Sequence, residues 1–239
     1  MRMLAIIPAL NEERNLPRLL ESLRRDAPGW DVCVVDDGST DRTAAVARQL
    51  GALVLRLPEN LGIGGAVQTG YLWAREHAYD IAAQIDGDGQ HDPQFLAAAV
   101  APIETGKADL VIGSRYLTSG GFQSTALRRA GIRYLSWFLR LRCGARISDP
   151  TSGFRVAGKR AIELFAARYP SDYPEPEAIA LATRRGLSLC EVPVVMQERE
   201  HGTSSIGVGG MLYYLVKVSL ALLILPADRR SLSATEGVS

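Results

Sequence analysis

Between residues 4 and 114, short apolar or β-branched runs alternate with longer stretches in which apolar positions recur every three or four residues. The runs Leu4–Ile7, Val32–Val35, Leu53–Leu57, Ile81–Ile85 and Leu110–Ile112 are predicted strands, since short continuous apolar segments suit a sheet covered on both faces. The stretches Glu12–Arg25, Arg42–Leu50, Ile63–Ala78 and Gln94–Thr105 are predicted helices, several of them opening after Asn or Asp residues able to cap a first turn. Strands and helices in this alternation imply an α/β fold, a Rossmann-like and mostly parallel sheet flanked by helices. Ligands of such sheets collect beyond the carboxyl ends of the strands. Polar motifs follow three predicted strands directly: Pro8-Ala9-Leu10-Asn11-Glu12, Asp36-Asp37-Gly38-Ser39 and Asp86-Gly87-Asp88.

Beyond Ser114 the pattern changes. The stretch from Arg115 to Ser148 carries Arg115, Arg128, Arg129, Arg133, Arg140, Arg142 and Arg146 with no acidic residue and no lysine. Within it, Ile132 to Arg142 mixes aromatics with arginines as a helix lying at a membrane surface does. A loop from Asp149 to Arg155, a helix near Lys159–Arg168, a second helix ending at Arg185 and a strand around Leu189–Val195 follow. The apolar run Gly210–Leu225 holds a single charge, Lys217. As a helix of about 16 residues it rises only about 24 Å, short of a hydrocarbon core of about 30 Å, so it is expected to lie in an interface or dock on a membrane partner, with packing on the catalytic domain as the alternative. The expected division is a catalytic domain over 1–206, the apolar helix over 207–226 and a disordered tail over 227–239.

Charge and composition narrow the partners. With 27 Lys+Arg against 26 Asp+Glu, the 239-residue chain lacks the general basic surface of a nucleic-acid binder. Three scattered cysteines, Cys33, Cys143 and Cys190, make neither a zinc site nor a disulfide framework, which fits a reducing, cytoplasmic setting. The apolar start Met3–Pro8 is too short for a signal peptide.

The candidate chemistry lies at the strand ends. Asp86-Gly87-Asp88 places two carboxylates one residue apart with glycine beside each, an arrangement suited to a hard divalent cation held by one or two carboxylates and a substrate's phosphates; a plain turn is the alternative. Asp36 and Asp37 can accept hydrogen bonds from a nucleotide's ribose or base, or cap a turn with Ser39, Thr40 and Asp41. The glycine-rich Asn60–Ala66 serves ligand contact or close helix–sheet packing, lacking both the third glycine of a dinucleotide fingerprint and the lysine of a P-loop.

Taken together, Ile7–Glu13, Val35–Asp41, Asn60-Leu61-Gly62, Asp86–His91, Gly113–Tyr116 and Ser152–Arg155 resemble the family 2 glycosyltransferases, in consistent order from about Leu4 to Ile206. Within that family they look most like the polyprenyl-phosphate branch, which includes dolichol-phosphate mannose synthases. The resemblance implies a GT-A fold that moves a sugar, with inversion, from a GDP- or UDP-linked donor to a polyprenyl phosphate such as undecaprenyl or dolichyl phosphate. The enzyme is then expected at the inner face of the cytoplasmic membrane, held peripherally by the membrane surface or by an integral membrane partner. A soluble relative acting on a glycan or other non-lipid acceptor is the alternative. By the resemblance, Pro8, Asn11, Glu12, Asp37, Gly62 and Asp86 attend the donor, with Asp37 on the nucleoside and Asp86 near the ribose or diphosphate. Asp88 and Gln90, with Asp86, hold Mg²⁺ or Mn²⁺, while Arg115, Arg128 or Arg129, and Arg199 face the donor diphosphate or the acceptor phosphate. Glu177 orients a sugar hydroxyl, acts as a base or caps its helix. The proline-rich Tyr173-Pro174-Glu175-Pro176-Glu177, and Ser205 where a lysine is common, depart from the mannose synthases, so the resemblance does not carry mannose as the sugar.

Overall fold

A computed structural model describes residues 1–117, 126–196 and 208–224. Its seven-stranded sheet runs β3-β2-β1-β4-β6-β5-β7. The strands are β1 (Met3–Ala9), β2 (Trp30–Asp36), β3 (Leu53–Arg56), β4 (Ile81–Gln84), β5 (Leu110–Ser114), β6 (Arg155–Gly158) and β7 (Leu189–Pro193). All neighbours pair in parallel except β6, which lies antiparallel between β4 and β5. The sequence pattern predicts a loop that ends at Arg155. The chain instead turns there into β6, four residues beginning with an arginine, too short and too polar at its start to read as a strand. The order reverses between β1 and β4, which sets the crevice for a ligand at the carboxyl ends of β1, β2 and β4.

The alternation along β1 shows why this sheet needs helices on both faces. Leu4 and Ile6 enter one apolar layer with Val67 and Tyr71 of α3 (Gly62–Glu76), Phe165 of α6 (Lys159–Ala167) and Leu181 of α7 (Pro174–Arg184). Ala5 and Ile7 enter the opposite layer with Leu16, Leu19 and Leu23 of α1 (Leu16–Asp26), Ala47 of α2 (Thr43–Gln49) and Leu96 and Ala99 of α4 (Leu96–Glu104). Cys33 sits fully buried in the first layer, and burial pushes its thiol up to about 12, so it is an inert core residue.

A third apolar cluster joins α5 (Ala126–Cys143), α7 and α8 (Val208–Ile224), burying Leu135, Leu139, Ile179, Tyr214, Val218 and Leu222. The apolar run is therefore packed along one side of the catalytic domain. Lys217 pairs with Asp172, and Arg142 and Arg184 each donate to a carbonyl in the last turn of α8, at 3.3 Å. No helix among the described residues is long and apolar enough to cross a membrane. Arg199 and the tail 227–239 lie outside the described residues.

Candidate active site

The first two βα loops are laced together, which fixes the floor of the crevice. Asn11 adopts a left-handed conformation, φ 57°. Its N–H donates to Ser39 Oγ at 2.9 Å, and its Oδ1 accepts from the Thr40 N–H at 2.9 Å. The Glu12 N–H donates to Thr43 Oγ1 at 2.8 Å, and Glu13 Oε2 accepts from the Arg42 N–H at 3.0 Å. With Asn11, Glu12 and Glu13 engaged this way, α1 starts at Leu16 rather than Glu12. Asn11 thus braces the loops as well as lining the cleft.

The paired acids after β2 divide the work left open by the sequence. Asp36 Oδ1 accepts from the Ser39 N–H at 3.0 Å and caps the turn. Asp37 Oδ1 accepts from the Leu61 N–H at 2.7 Å, drawing the glycine-rich loop to the crevice wall. Gly64 serves close packing there: a Cβ in its place would stand 2.1 Å from the Pro170 carbonyl oxygen, so no other residue lets α3 approach the 170–171 segment.

At the end of β4 the Asp86 N–H donates to His91 Nδ1 at 3.0 Å. The neutral ring then carries its proton on Nε2, which lies 3.7 Å from Asp86 Oδ2. His91 is buried with its ring edge-on to Phe154, so it orients Asp86. A Cβ on Gly153 would stand 2.6 Å from Asp86 Oδ2; the bare glycine backbone leaves room for that carboxylate. Asp88 Oδ1 accepts from the Gln90 N–H at 3.0 Å.

These strand ends enclose a cleft of about 670 Å³ lined by Pro8, Asn11, Glu12, Asp37, Gly62, Asp86 and Asp88 among others. All six residues expected on the donor from the ends of the first four strands are brought together there. Gln90, Arg115, Arg128, Arg129 and Glu177 are not among the residues lining it. Among the described residues no group of three or more His, Cys, Asp or Glu could hold a metal. Two carboxylates on one cleft wall nonetheless fit a cation whose remaining ligands come from a diphosphate.

Arg115 turns inward rather than toward the cleft. Its Nε and Nη2 donate to Asp149 Oδ2 and Oδ1 at 2.6 and 2.8 Å, and Nη2 also reaches Thr151 Oγ1 at 2.9 Å. Burial opposes the charge, but the Asp149 bonds outweigh it and raise the Arg115 pKa. Glu191 of β7 accepts from the N–H groups of Ser148 and Asp149, at 2.8 and 3.0 Å, and so holds Arg115's partner in place. Arg128 and Arg129 stand half-buried in the first turn of α5 and act on Tyr116, whose hydroxyl is buried with no partner among the described residues. Burial pushes that hydroxyl's pKa up against the pull of Arg115, Arg128 and Arg129. Tyr116 is quoted in a matched motif but has no role assigned from sequence; only folding places three guanidiniums around it.

Glu177 faces Lys217, Asp172 and Arg168, and burial pushes its carboxyl up. The acid in the electrostatic field of Asp86 is Glu175, whose backbone carbonyl accepts from Arg155 Nη2 at 2.7 Å. Burial raises Glu175 from 4.5 to about 7, partly opposed by Arg155. A carboxyl that binds its proton more tightly when folded destabilises the fold as pH rises from about 4.5 to about 7, and then levels off. Glu175→Gln is therefore expected to match the wild type near pH 4.5 and to exceed it by about 1–3 kcal/mol at pH 8, read by urea unfolding at both pH values.

Known proteins converge on the same reading. Residues 4–164 match Glycosyl transferase family 2. The chain is 35% identical over 218 residues to an undecaprenyl-phosphate mannosyltransferase of Micrococcus luteus, spanning 87% of this chain and 89% of the relative. It is 31% identical to a polyprenol monophosphomannose synthase of Mycolicibacterium smegmatis, spanning 91% and 86%. Its backbone superposes with TM-score 0.70 and 24% identity on glucosyl-3-phosphoglycerate synthase from Mycobacterium tuberculosis, crystallised with Mn²⁺ and UDP, covering 94% of this chain and 81% of that one. By fold, cleft and sequence the chain belongs to Glycosyl transferase family 2, with a GT-A fold.

Proposed function

We propose that this enzyme transfers a sugar from a nucleotide-diphosphate donor to a polyprenyl phosphate at the cytoplasmic face of a membrane. The observation that carries the reading is the double character of α5. Its first turn places Arg128 and Arg129 around Tyr116, beside an Arg115 that lies in the field of Asp86. Farther along, the same helix exposes Trp137 (58%) and Leu141 (65%), and the adjoining α8 exposes Leu220 and Ile224. One helix thus offers guanidinium to a phosphate near the cleft and apolar surface to a lipid. The polyprenyl-phosphate acceptors named for the two bacterial relatives support the same chemistry.

In this reading Asp37 takes the nucleoside, and Asp86 and Asp88 face the diphosphate and its divalent cation. Asp86 and Asp88 would hold Mg²⁺ or Mn²⁺ there, which would supply positive charge against the negative charge developing on the departing nucleoside diphosphate. An oxygen of the acceptor phosphate attacks the anomeric carbon as the bond to the diphosphate breaks, inverting that carbon. A phosphate monoester with a second pKa of about 6 is already largely ionised at neutral pH, so the acceptor needs no base. That matches a cleft with no histidine among its described lining residues: His91 is occupied in orienting Asp86. Arg128 and Arg129, together with Arg199, meet the acceptor phosphate, and Arg115 supports them by fixing the 149–151 loop.

A panel of GDP- and UDP-sugars, incubated with undecaprenyl phosphate and Mn²⁺, is expected to yield a lipid-linked product with one donor strongly preferred. Formation of free sugar alone contradicts the reading. For the lipid face, the triple variant Trp137→Glu, Leu220→Glu, Ile224→Glu is expected to bind anionic liposomes at least about tenfold more weakly in flotation, since each side chain loses apolar burial in the bilayer. Unchanged flotation excludes that face.

A further inference from the structure

Gln84 and Arg155 face one another across the antiparallel β4–β6 ladder. Two residues away on each strand, Ala82 and Ala157 lie in the apolar layer beneath α3 and α6, so the side chains of Gln84 and Arg155 enter that layer too. A glutamine and an arginine at 0% exposure inside an apolar layer require partners. Some are present. The Tyr169 hydroxyl donates to Gln84 Oε1 at 3.2 Å. Arg155 Nε donates to the Ser152 carbonyl at 3.0 Å, and Nη2 reaches the carbonyls of Pro150 and Glu175 at 3.4 and 2.7 Å.

Three atoms remain without a partner among the described residues: Tyr71 Oη, Gln84 Nε2 and Arg155 Nη1. They belong to one neighbourhood. The Tyr71 ring lies 5.7 Å from that of Tyr169, which holds the other end of the Gln84 amide, and Arg155 acts electrostatically on both tyrosines. Buried polar atoms of folded proteins are paired in the large majority of cases, and a water serves where protein atoms do not reach. Apolar residues of the layer, Phe165 and Val67 among them, offer nothing to these donors.

We infer that Tyr71 Oη, Gln84 Nε2 and Arg155 Nη1 surround an internal water site whose ordered water bridges them toward the Glu175 carboxyl. Two of the three atoms can only donate, and an acceptor must complete the set; water supplies its oxygen to them and returns its protons to the tyrosine oxygen and to the carboxylate. The site has a place in the architecture of the cleft. Arg155 draws in the carbonyls of Pro150 and Ser152, and the next residue, Gly153, lies against the Asp86 carboxylate. Hydration of this chamber therefore supports the wall on which Asp86 is set.

A crystal structure of the full chain at a resolution that shows solvent is expected to contain a water within about 2.7–3.2 Å of all three atoms. A chamber without density overturns the inference. So does anomalous signal at the site in crystals grown with bromide, which assigns it to an anion. Thermal unfolding provides a test of opposite sign. If water bonds the hydroxyl, Tyr71→Phe lowers Tm by about 2–4 °C. If the hydroxyl is unpaired, its removal leaves Tm unchanged or raises it, and the water site is excluded.

Discussion

Asp88→Asn is expected to reduce sugar transfer by at least about 10²–10³-fold while the protein unfolds at the same denaturant concentration as the wild type. The side chain lies at the cleft wall and accepts from the Gln90 N–H, a bond that an amide oxygen still accepts. Folding thus loses little. The reaction loses a full negative charge at the position suited to the cation, and removing one preorganised electrostatic group from a reacting centre commonly costs that factor. Steady-state rates across a Mn²⁺ titration check it: the variant's residual activity should saturate only at much higher metal. Full turnover at wild-type metal concentrations places the cation elsewhere.

Asp149→Ala has the largest expected effect on stability. Asp149 is fully buried, Arg115 is 8% exposed, and the pair makes two bonds of 2.6 and 2.8 Å. Removing the carboxylate leaves a buried guanidinium without its bidentate partner, a change that costs about 3–5 kcal/mol. The loop 148–151 loses its anchor at the same time. Urea unfolding should show the loss, and the double variant Arg115→Met, Asp149→Leu should recover most of it, because no charge is then left unpaired. A single variant as stable as the wild type contradicts the assignment of Arg115 as a buried strut.

The strands and the cleft they form are legible in the sequence because they depend on local pattern: β1, β2 and β4 are apolar runs, and their polar ends meet wherever such a sheet reverses direction. What could not be read depends on rotation and pairing. Arg115 follows a buried strand, as a phosphate ligand does, yet whether it points outward is decided by Asp149, 34 residues later. Glu175 and Glu177 are two residues apart at a helix start, so they point about 200° apart around the axis. Which one faces Asp86 follows from where α7 begins, at Pro174, after a left-handed Tyr173; the composition of the segment leaves that open. Strand β6 exists because the gap between β4 and β5 must be closed, a requirement set by the rest of the sheet.

The nucleophile proposed for this enzyme is a phosphate carried on a lipid. This is tested most directly by offering the enzyme undecaprenyl phosphate and undecaprenol side by side, in detergent with Mn²⁺ and a radiolabelled nucleotide sugar, and separating the lipids by chromatography. Label is expected in a sugar-phospholipid from the phosphate and at least about 10³-fold less from the alcohol, which is un-ionised at neutral pH. Equal labelling of the alcohol, or label transferred only to a soluble glycan, contradicts it.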